Sequence, residues 1–580
     1  MLDTSVTPIL SEDSIHHSTK PVAAQDFARQ PVQTDKPSST FSSSDDDESP
    51  STPTVTPDIE TTKRPSMHLD NQVIRNSVKL DDTTSEGRPS IYLFVFVNPL
   101  SGDRKGEDLV TLPIQHFRLR RFPQVQLEVH NILDEEDRSN AIKNIQLIEA
   151  KLKLGQIPDI EAGSKEDEGE QKATLSPAVQ TRHIHVWSAG GDGTVMSVFE
   201  LLVSHKIDLD QVFFSCIPFG TGNDFSQVLG WGRTIPTKNI LGSKLQNLEE
   251  LISDRLEKSE AARLDIWQIK MTSYPSGYVC EAGPKERRDG HDVAEVKGSG
   301  EKKPENVMVR KMSNYISLGV QGYVGSGFEA HRSGNRLGNM FVYAHESSKW
   351  VFWRHFPNLN RFIKNFTQNG QPVLQCSLPE ERKSDVSNQM AEITRNPIDM
   401  VIQNIPHIWG REVDLWGEAR SGLDAVTNRS GPTDPASWKP QRANDGRLEV
   451  MTIENMTSYL KKLANIRHHV SRIGQFDSPF EINFREPEDH MKETDKLADN
   501  TSAWTKTKAF VKDKKRHKFE KKNMLCVMCD GEFYEIKDPK SIAFECFAQI
   551  WTLGRNDEHQ GRLVKDELDA QQDNTETVSP

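Results

Sequence analysis

The amino-acid sequence predicts an α/β fold in two parts: an amino-terminal α/β domain built on a mostly parallel sheet, then a β-rich, sandwich-like domain. Three observations support this. Short apolar runs, IYLFVFV among them, end in glycine-containing turns and alternate with helically spaced stretches, as expected for strands covered on both faces. Two of those turns, Gly190 to Thr194 and Gly220 to Phe225, each follow such a run directly. Beyond Ala262 the helical spacing gives way to short β-like runs separated by polar loops.

Composition bounds the ordered part. Hydrophobic residues make up 35% of the 580 and mean hydropathy is -0.64, so a sizeable share of the chain cannot bury a core. Residues 1–88, rich in Ser, Thr, Pro and Asp, are expected to form a disordered tail. Its Ser42 to Ser44, beside an acidic run, read as phosphorylation sites or as part of a solubilising segment. The net charge of -13, from 72 basic and 85 acidic residues, argues against a nucleic-acid binder. Six cysteines without a regular framework fit a reducing compartment. No signal-peptide pattern opens the chain, and no apolar run approaches the roughly 18 residues of a membrane span. The expected location is therefore cytoplasmic, not secreted, with peripheral membrane contact. Lys565 to Leu568 spell a reticulum retention signal, but it is internal and such signals are read at the terminus.

Order begins at Ile91, and the first run exits through Asn98-Pro99-Leu100-Ser101-Gly102. Gln124 to Ile132 alternates as a second strand, and Ala141 to Leu154 is spaced as a helix. Pro158 to Pro177 is acidic and reads as a surface insertion. This outlines a domain over residues 89–240. Arg263 to Met271, RLDIWQIKM, alternates as a strand and opens a second domain over 258–552, with polar insertions near 276–306 and 380–396. Residues 556–580 read as a second disordered tail.

The two glycine-rich turns carry the chemistry. Glycines at the exit of a parallel strand let backbone amides approach a ligand, and the helix that follows offers a favourable potential for an anion. Two such turns on neighbouring strands suggest a phosphate cradle beyond the carboxyl ends of the strands.

Several segments taken together resemble eukaryotic diacylglycerol kinases: VNPLSG (Val97 to Gly102), GGDGTV (Gly190 to Val195), PFGTGNDFSQVLGWG (Pro218 to Gly232) and RLDIW (Arg263 to Trp267). The likeness continues through the accessory region of that family in NYISLGV, NRLGN, QNIPHIWGREVDLWG, NDGRLEV, RIGQ and CDGE, so it spans roughly Arg88 to Trp551. A lone GGDGT would also suit sphingosine, ceramide and NAD kinases, whereas the ordered series is more specific. The resemblance implies a two-domain, lipid-kinase-like fold with its active site in the cleft between the domains. It implies transfer of the γ-phosphoryl of ATP to the free hydroxyl of diacylglycerol, giving phosphatidate, with Mg²⁺ as cofactor.

Under that resemblance Asn98, Ser101 and Gly102 bind nucleotide, Gly190, Gly191, Gly193 and Thr194 wrap phosphate, and Thr221, Gly222, Asn223 and Asp224 form a third wall. Asp192 repels bare phosphate, so its expected role is to hold Mg²⁺ directly or through water, or to orient the lipid hydroxyl. Asp530 and Glu532 are implied to activate the acceptor or organise Mg²⁺. On spacing alone, Asp530-Gly531-Glu532 reads as an ordinary β-turn with two solvated acids.

Other features keep two readings. Cys526 and Cys529 form a lone CxxC, a zinc half-site or simply buried thiols. The basic run Thr505 to Asn523 is either a solvated loop or a contact with an anionic membrane surface. His331, His345, His468 and His469 show no metal-ligand spacing. The sequence also departs from the family: Gln321 stands where an acid is usual, and His407, Ile408 and Trp409 replace an expected glycine cluster. A sphingoid-base or ceramide kinase, and a silent lipid-binding scaffold, are the alternatives.

Overall fold

The computed structural model describes residues 88–102, 104–112, 116–161, 173–220, 222–235, 239–242, 245–283, 306–331, 341–342, 345–349, 356–378, 390–408, 411–412, 415–419, 422–463, 469–488, 523–555 and 562–576. The tail expected over 1–88 therefore lies outside them except for Arg88, as does the basic run from Thr505 up to residue 522.

The amino-terminal half is a parallel sheet. Strand β1 (Ile91–Val97) lies between β2 (Val125–Asn131) and β3 (Ile184–Gly190), with β4 (Val212–Pro218) beyond β3, all parallel. Every residue of β1, β3 and β4 is buried, which explains why these runs are apolar throughout instead of alternating. Helices cover both faces. On one, Ile142 and Ile145 of α1 (Glu135–Lys153) and Val195 and Phe199 of α2 (Asp192–Ser204) pack on Phe94, Val186 and Phe214. On the other, Leu248 and Ile252 of α4 (Gln246–Glu257) pack on Leu93, Trp187 and Phe213; the short helix α3 (Asp224–Val228) precedes it in the chain. The start of α1 is well specified. The Asp134 side chain accepts from Asp137 N at 3.0 Å, acids fill the first turn and lysines the last, as the helix dipole favours.

Beneath α1 lies a buried polar knot. His130 on β2 meets Asp137 Oδ1 at 2.8 Å and Glu128 Oε2 at 3.3 Å, and Asn144 and Gln126 each donate to Glu128 at 2.9 Å. Burial alone lowers an imidazole pKa, but the two carboxylates outweigh it and raise that of His130 to about 9.

Two long antiparallel strands cross from this half into the next. Strand β5 (Ser259–Glu281) pairs with the last strand of the chain, which covers Glu532–Arg555, along nearly its whole length, and Trp551 and Thr552 of that strand lie parallel to Phe213 and Phe214 of β4. The last strand thus extends the amino-terminal sheet. On its other side β5 pairs with β6 (Val307–Met312).

In the second half, β7 (Tyr315–Gly319) leads directly into α5 (Val320–Ala330); β8 (Ile363–Gln368) and β9 (Gln371–Gln375) form a hairpin. β10 (Asp399–Gln403) pairs with β7 and with β11 (Arg447–Ile453), and β11 pairs with β12 (Ser471–Asp477). β13 (Phe480–Phe484) joins β8 to the last strand, and β14 (Met524–Cys529) pairs both with β7 and with that strand, β15 (Glu532–Arg555). Trp267, Ile316, Leu318, Phe366, Ile402, Val450, Phe476 and Phe544 fill one core between these layers, a sandwich as expected.

Three boundaries differ from the sequence reading. Residues 276–281, assigned to an insertion, continue β5 because Tyr278 to Glu281 pair with Tyr534 to Lys537. Ala391–Ile393, inside the second expected insertion, is a strand paired with Val426–Thr427 and with β9. The tail expected over 556–580 contains a helix, α6 (Arg562–Glu576). Leu563 and Val564 enter the core beside Phe225 and Val228, and Glu567 bonds Arg263 and Asn444. Among the described residues, no helix is long and apolar enough to cross a membrane.

Candidate active site

The strand exits of the parallel sheet open onto a cleft of about 990 Å³. Asn98, Ser101 and Gly102 line it from the exit of β1, Gly191, Gly193 and Thr194 from the start of α2, Gly220 from the exit of β4, and Glu532 from the turn between β14 and β15. Two glycines explain how the exits pack so tightly. Gly102 has φ +55, and a Cβ there would lie 1.6 Å from the carbonyl oxygen of Phe219; a Cβ on Gly220 would lie 2.4 Å from the Cα of Gly191. The turns meet backbone on backbone, with no room for a side chain between them. The amides in the first turn of α2, Asp192 and Gly193 among them, have no acceptor within the helix and add its positive end.

The remaining turn residues act as braces. Asn98 Nδ2 donates to Thr194 Oγ1 at 3.4 Å, joining the first two exits. Gly190 closes β3, where a Cβ would collide with Thr194 Oγ1 at 2.2 Å. Asn223, at φ 53, donates to the carbonyls of Gly220 and Arg233 at 2.7 and 2.8 Å and so closes the GTGND turn. Asp224 is buried, Gly222 lies behind the wall against Asp192 Oδ2, and Thr221 falls outside the described residues.

Asp192 ties one turn to the next. Its Oδ2 accepts from Asp224 N at 2.9 Å and its Oδ1 from Phe225 N at 3.0 Å, so it caps α3 from the start of α2. Burial raises its pKa, while those two amides and the side chain of Asn314 pull the other way. The Asn314 amide nitrogen is buried and meets no acceptor at full hydrogen-bond geometry; it lies beside Asp192 and favours its anion.

The Asp530-Gly531-Glu532 turn divides its work. Asp530, at φ 46 and buried, accepts from Ser313 N at 2.6 Å, Ser313 Oγ at 3.2 Å, and Asn314 N and Tyr315 N each at 3.0 Å. It is a bracket holding the start of β7. Burial pushes its pKa up to about 7 against those amides, and the nearby Asp192 adds to the rise. Glu532 instead faces the cleft: Tyr534 Oη donates to its Oε2 at 2.7 Å, and its Oε1 would be 3.5 Å from a Cβ on Gly193. The carboxylate that sequence reasoning placed far down the chain therefore stands opposite the Gly190 to Thr194 turn.

Sequence reasoning missed part of the wall. The exit of β2 also reaches the cleft, through Leu133, Glu135, Arg138 and Ser139, and Arg138 is the sole lysine or arginine among the described residues lining it. The signal was available, since Gln124 to Ile132 was already a strand of the same parallel sheet. Gln321 is buried and accepts from Tyr315 Oη at 3.2 Å, so the residue in the acid's usual place is tied to the strand that Asp530 holds. His407 is buried, which drives its pKa down to about 3. Cys526 and Cys529 are buried on β14 and form no disulfide with each other.

Comparison with known proteins fits this geometry. The catalytic domain of diacylglycerol kinases matches residues 92–258, and the accessory domain of the same enzymes matches residues 311–494. The chain belongs to the diacylglycerol kinase family. Members of the diacylglycerol kinase family similar to it include Diacylglycerol kinase 2 of Arabidopsis thaliana, 24% identical over 58% of this chain and 35% of that one. Diacylglycerol kinase 4 of Arabidopsis thaliana is 27% identical over 42% of this chain and 45% of its own. Diacylglycerol kinase theta of Homo sapiens is 24% identical over 62% and 28%. The chain thus spans less than half the length of these relatives.

Proposed function

We propose that this chain transfers the γ-phosphoryl group of ATP to the free hydroxyl of diacylglycerol, producing phosphatidate and ADP. The observation that carries the reading is the convergence of four strand exits and Glu532 on one cleft. Phosphoryl transfer asks for positioning and charge stabilisation more than for covalent chemistry, and backbone amides with one carboxylate opposite suit it. The amides at Gly191 and Gly193, the Thr194 hydroxyl and Arg138 hold the phosphates, with Asn98, Ser101 and Gly102 on the nucleotide side. The acceptor oxygen attacks the γ-phosphorus, the bond from that phosphorus to the β-bridging oxygen breaks, ADP leaves, and the hydroxyl proton passes to Glu532. Asp530 and Asp192 keep β7 and α3 in place around the reacting atoms.

Among the described residues, no group of three or more His, Cys, Asp and Glu side chains is arranged to hold a metal ion by itself. Mg²⁺ nevertheless fits, because it commonly takes one or two carboxylates plus substrate phosphates. Asp192 gives one amide bond to each oxygen and keeps lone pairs for a bridging water, and Glu532 Oε1 faces the cleft. When bound, Mg²⁺ would neutralise charge developing on the β- and γ-phosphates.

The deciding experiment is phosphorylation of a lipid panel in mixed micelles with labelled ATP and Mg²⁺. Labelled phosphatidate from diacylglycerol, lost on Gly191→Asp, is expected; transfer only to sphingosine or ceramide, or none to any lipid, would refute the reading. Attraction to an anionic membrane through Thr505 to Asn523 is part of the same proposal, and salt-independent vesicle binding would count against it.

A further inference from the structure

One face of the carboxyl-terminal sheet carries a line of buried polar residues that the reaction above does not use. Across neighbouring strands Tyr315 stands opposite Gln403, Gln403 opposite Glu449, and Glu449 opposite Gln475. Gln475 is fully occupied, donating to Glu449 Oε1 and the Lys439 carbonyl, each at 2.9 Å. The rest of the line is not. Both the Nε2 and Oε1 of Gln403 and the Nε2 of Gln321 beside Tyr315 are buried without a hydrogen-bond partner, and the Gln441 side chain lies beside the Glu449 carboxyl. Gln403 and Glu449 are 0% exposed and Gln321 is 2% exposed, so water at the protein surface does not serve them. Buried polar atoms left unpaired are strongly disfavoured, and several together on one face of a sheet mark a place where something polar belongs.

The chemistry of the line restricts what that is. Burial raises the pKa of Glu449 well above the usual carboxylate range, which favours its neutral form, and the two glutamines offer amide donors. A neutral ligand rich in acceptor oxygens matches this set, whereas an ammonium group meets no anion in it. On the same face the next row along runs Met528, Ser317, Val401 and Met451; the Ser317 hydroxyl is taken up by Asp399 Oδ1 at 2.8 Å, and the other three offer an adaptable surface for alkyl chains. Tyr315 is bonded to Asp530 through its backbone, and Gln403 is one strand further, so the line begins within about 10 Å of the turn that carries Glu532.

Resting on the kinase reading, we infer that this line seats the ester groups of the acceptor lipid, with Gln403 and Gln321 donating to its ester carbonyls and the methionine-rich row receiving the first carbons of its acyl chains. At the β7 end of the line lies α5, which carries Gln321 and packs on β14 and β15: a Cβ on Gly322 would meet the Cys526 carbonyl at 2.3 Å and one on Gly325 the Phe533 ring at 1.7 Å.

The test uses the full chain and needs no turnover. Binding of a diester, 1,2-dioleoylglycerol, and of its diether counterpart, which lacks the carbonyls, is measured in mixed micelles by quenching of tryptophan fluorescence. The wild-type chain should hold the diester about tenfold more tightly, the effect of one good hydrogen bond to an otherwise unpaired donor. Gln403→Met and Gln321→Met, which keep volume and remove the donor, should each bring the ratio close to one while ATP affinity is unchanged. If Gln403→Met does not fold, Gln321→Met, at the edge of the line, reads the same ratio. Equal affinity for the two lipids in the wild-type chain, or a ratio unmoved in the variants as an internal water site would leave it, overturns the inference. Turnover of the diester is scored separately: discrimination without turnover keeps the site and removes the kinase reading, and turnover of both lipids without discrimination does the reverse.

Discussion

Replacing Gly193 with alanine separates the site from the fold. The methyl group would extend from the first turn of α2 toward Glu532 Oε1, 3.5 Å away, an ordinary contact and, among the described residues, the sole non-local heavy atom within 4 Å. Among the described residues nothing has to move, and alanine is the better helix former by about 0.5–1 kcal/mol. The melting temperature should therefore hold or rise slightly. The same methyl stands between the phosphate amides and the carboxylate proposed to take the proton, where the γ-phosphoryl must pass. A displacement of about 1 Å there is expected to lower kcat/KM on the order of 100-fold. The assay is steady-state phosphorylation of diacylglycerol alongside thermal unfolding of the same preparation. A variant that melts like the wild type and works within threefold of it would show that the reaction does not occur between Gly193 and Glu532.

Glu532→Gln should lower kcat by a factor on the order of 10²–10⁴ with ATP KM and melting nearly unchanged, because it removes the proton acceptor and keeps the side chain's shape; calorimetric ATP titration checks the binding half. Asp192→Asn should raise ATP KM at least about tenfold and lower the melting temperature. Its amide nitrogen must face either Asp224 N–H or Phe225 N–H, and an orphaned amide costs about 1–3 kcal/mol, offset in part by removing a buried carboxylate. His130, raised from 6.5 to about 9, binds its proton more tightly in the folded state. Its contribution is fully present below about pH 6.5 and is lost as pH rises through 9, at most about 3 kcal/mol. Melting curves from about pH 6 to pH 9.5 should show this decline, and a His130→Gln variant that declines equally would refute it.

Sequence alone revealed the parallel half well, and for a definite reason. β1, β3 and β4 are buried on both faces, so their runs are apolar without interruption and their exits are marked by glycine. The long pairing of β15 with β5 was hidden because Lys537, Asp538 and Pro539 split the run in two; in the structure the ladder continues across register shifts at Lys537/Pro539 and Pro539/Ser541. α6 was hidden by its polarity. Its buried Glu567 answers to Arg263 and Asn444, 304 and 123 residues away in sequence. At the cleft, spacing revealed the glycines but could not divide labour between Asp530 and Glu532. That division depends on which carboxylate turns toward the amides of Ser313, Asn314 and Tyr315, a tertiary fact.

The parallel pairing of Trp551 and Thr552 with Phe213 and Phe214 has a consequence for how the chain is made. While the ribosome is still translating the accessory region, the flank of β4 that these residues will occupy presents unsatisfied amides and carbonyls, the kind of edge that recruits other chains. The amino-terminal half therefore waits for more than three hundred further residues before its sheet is sealed. An amino-terminal fragment ending near residue 258 would be released with that seam open, and its solubility should suffer accordingly.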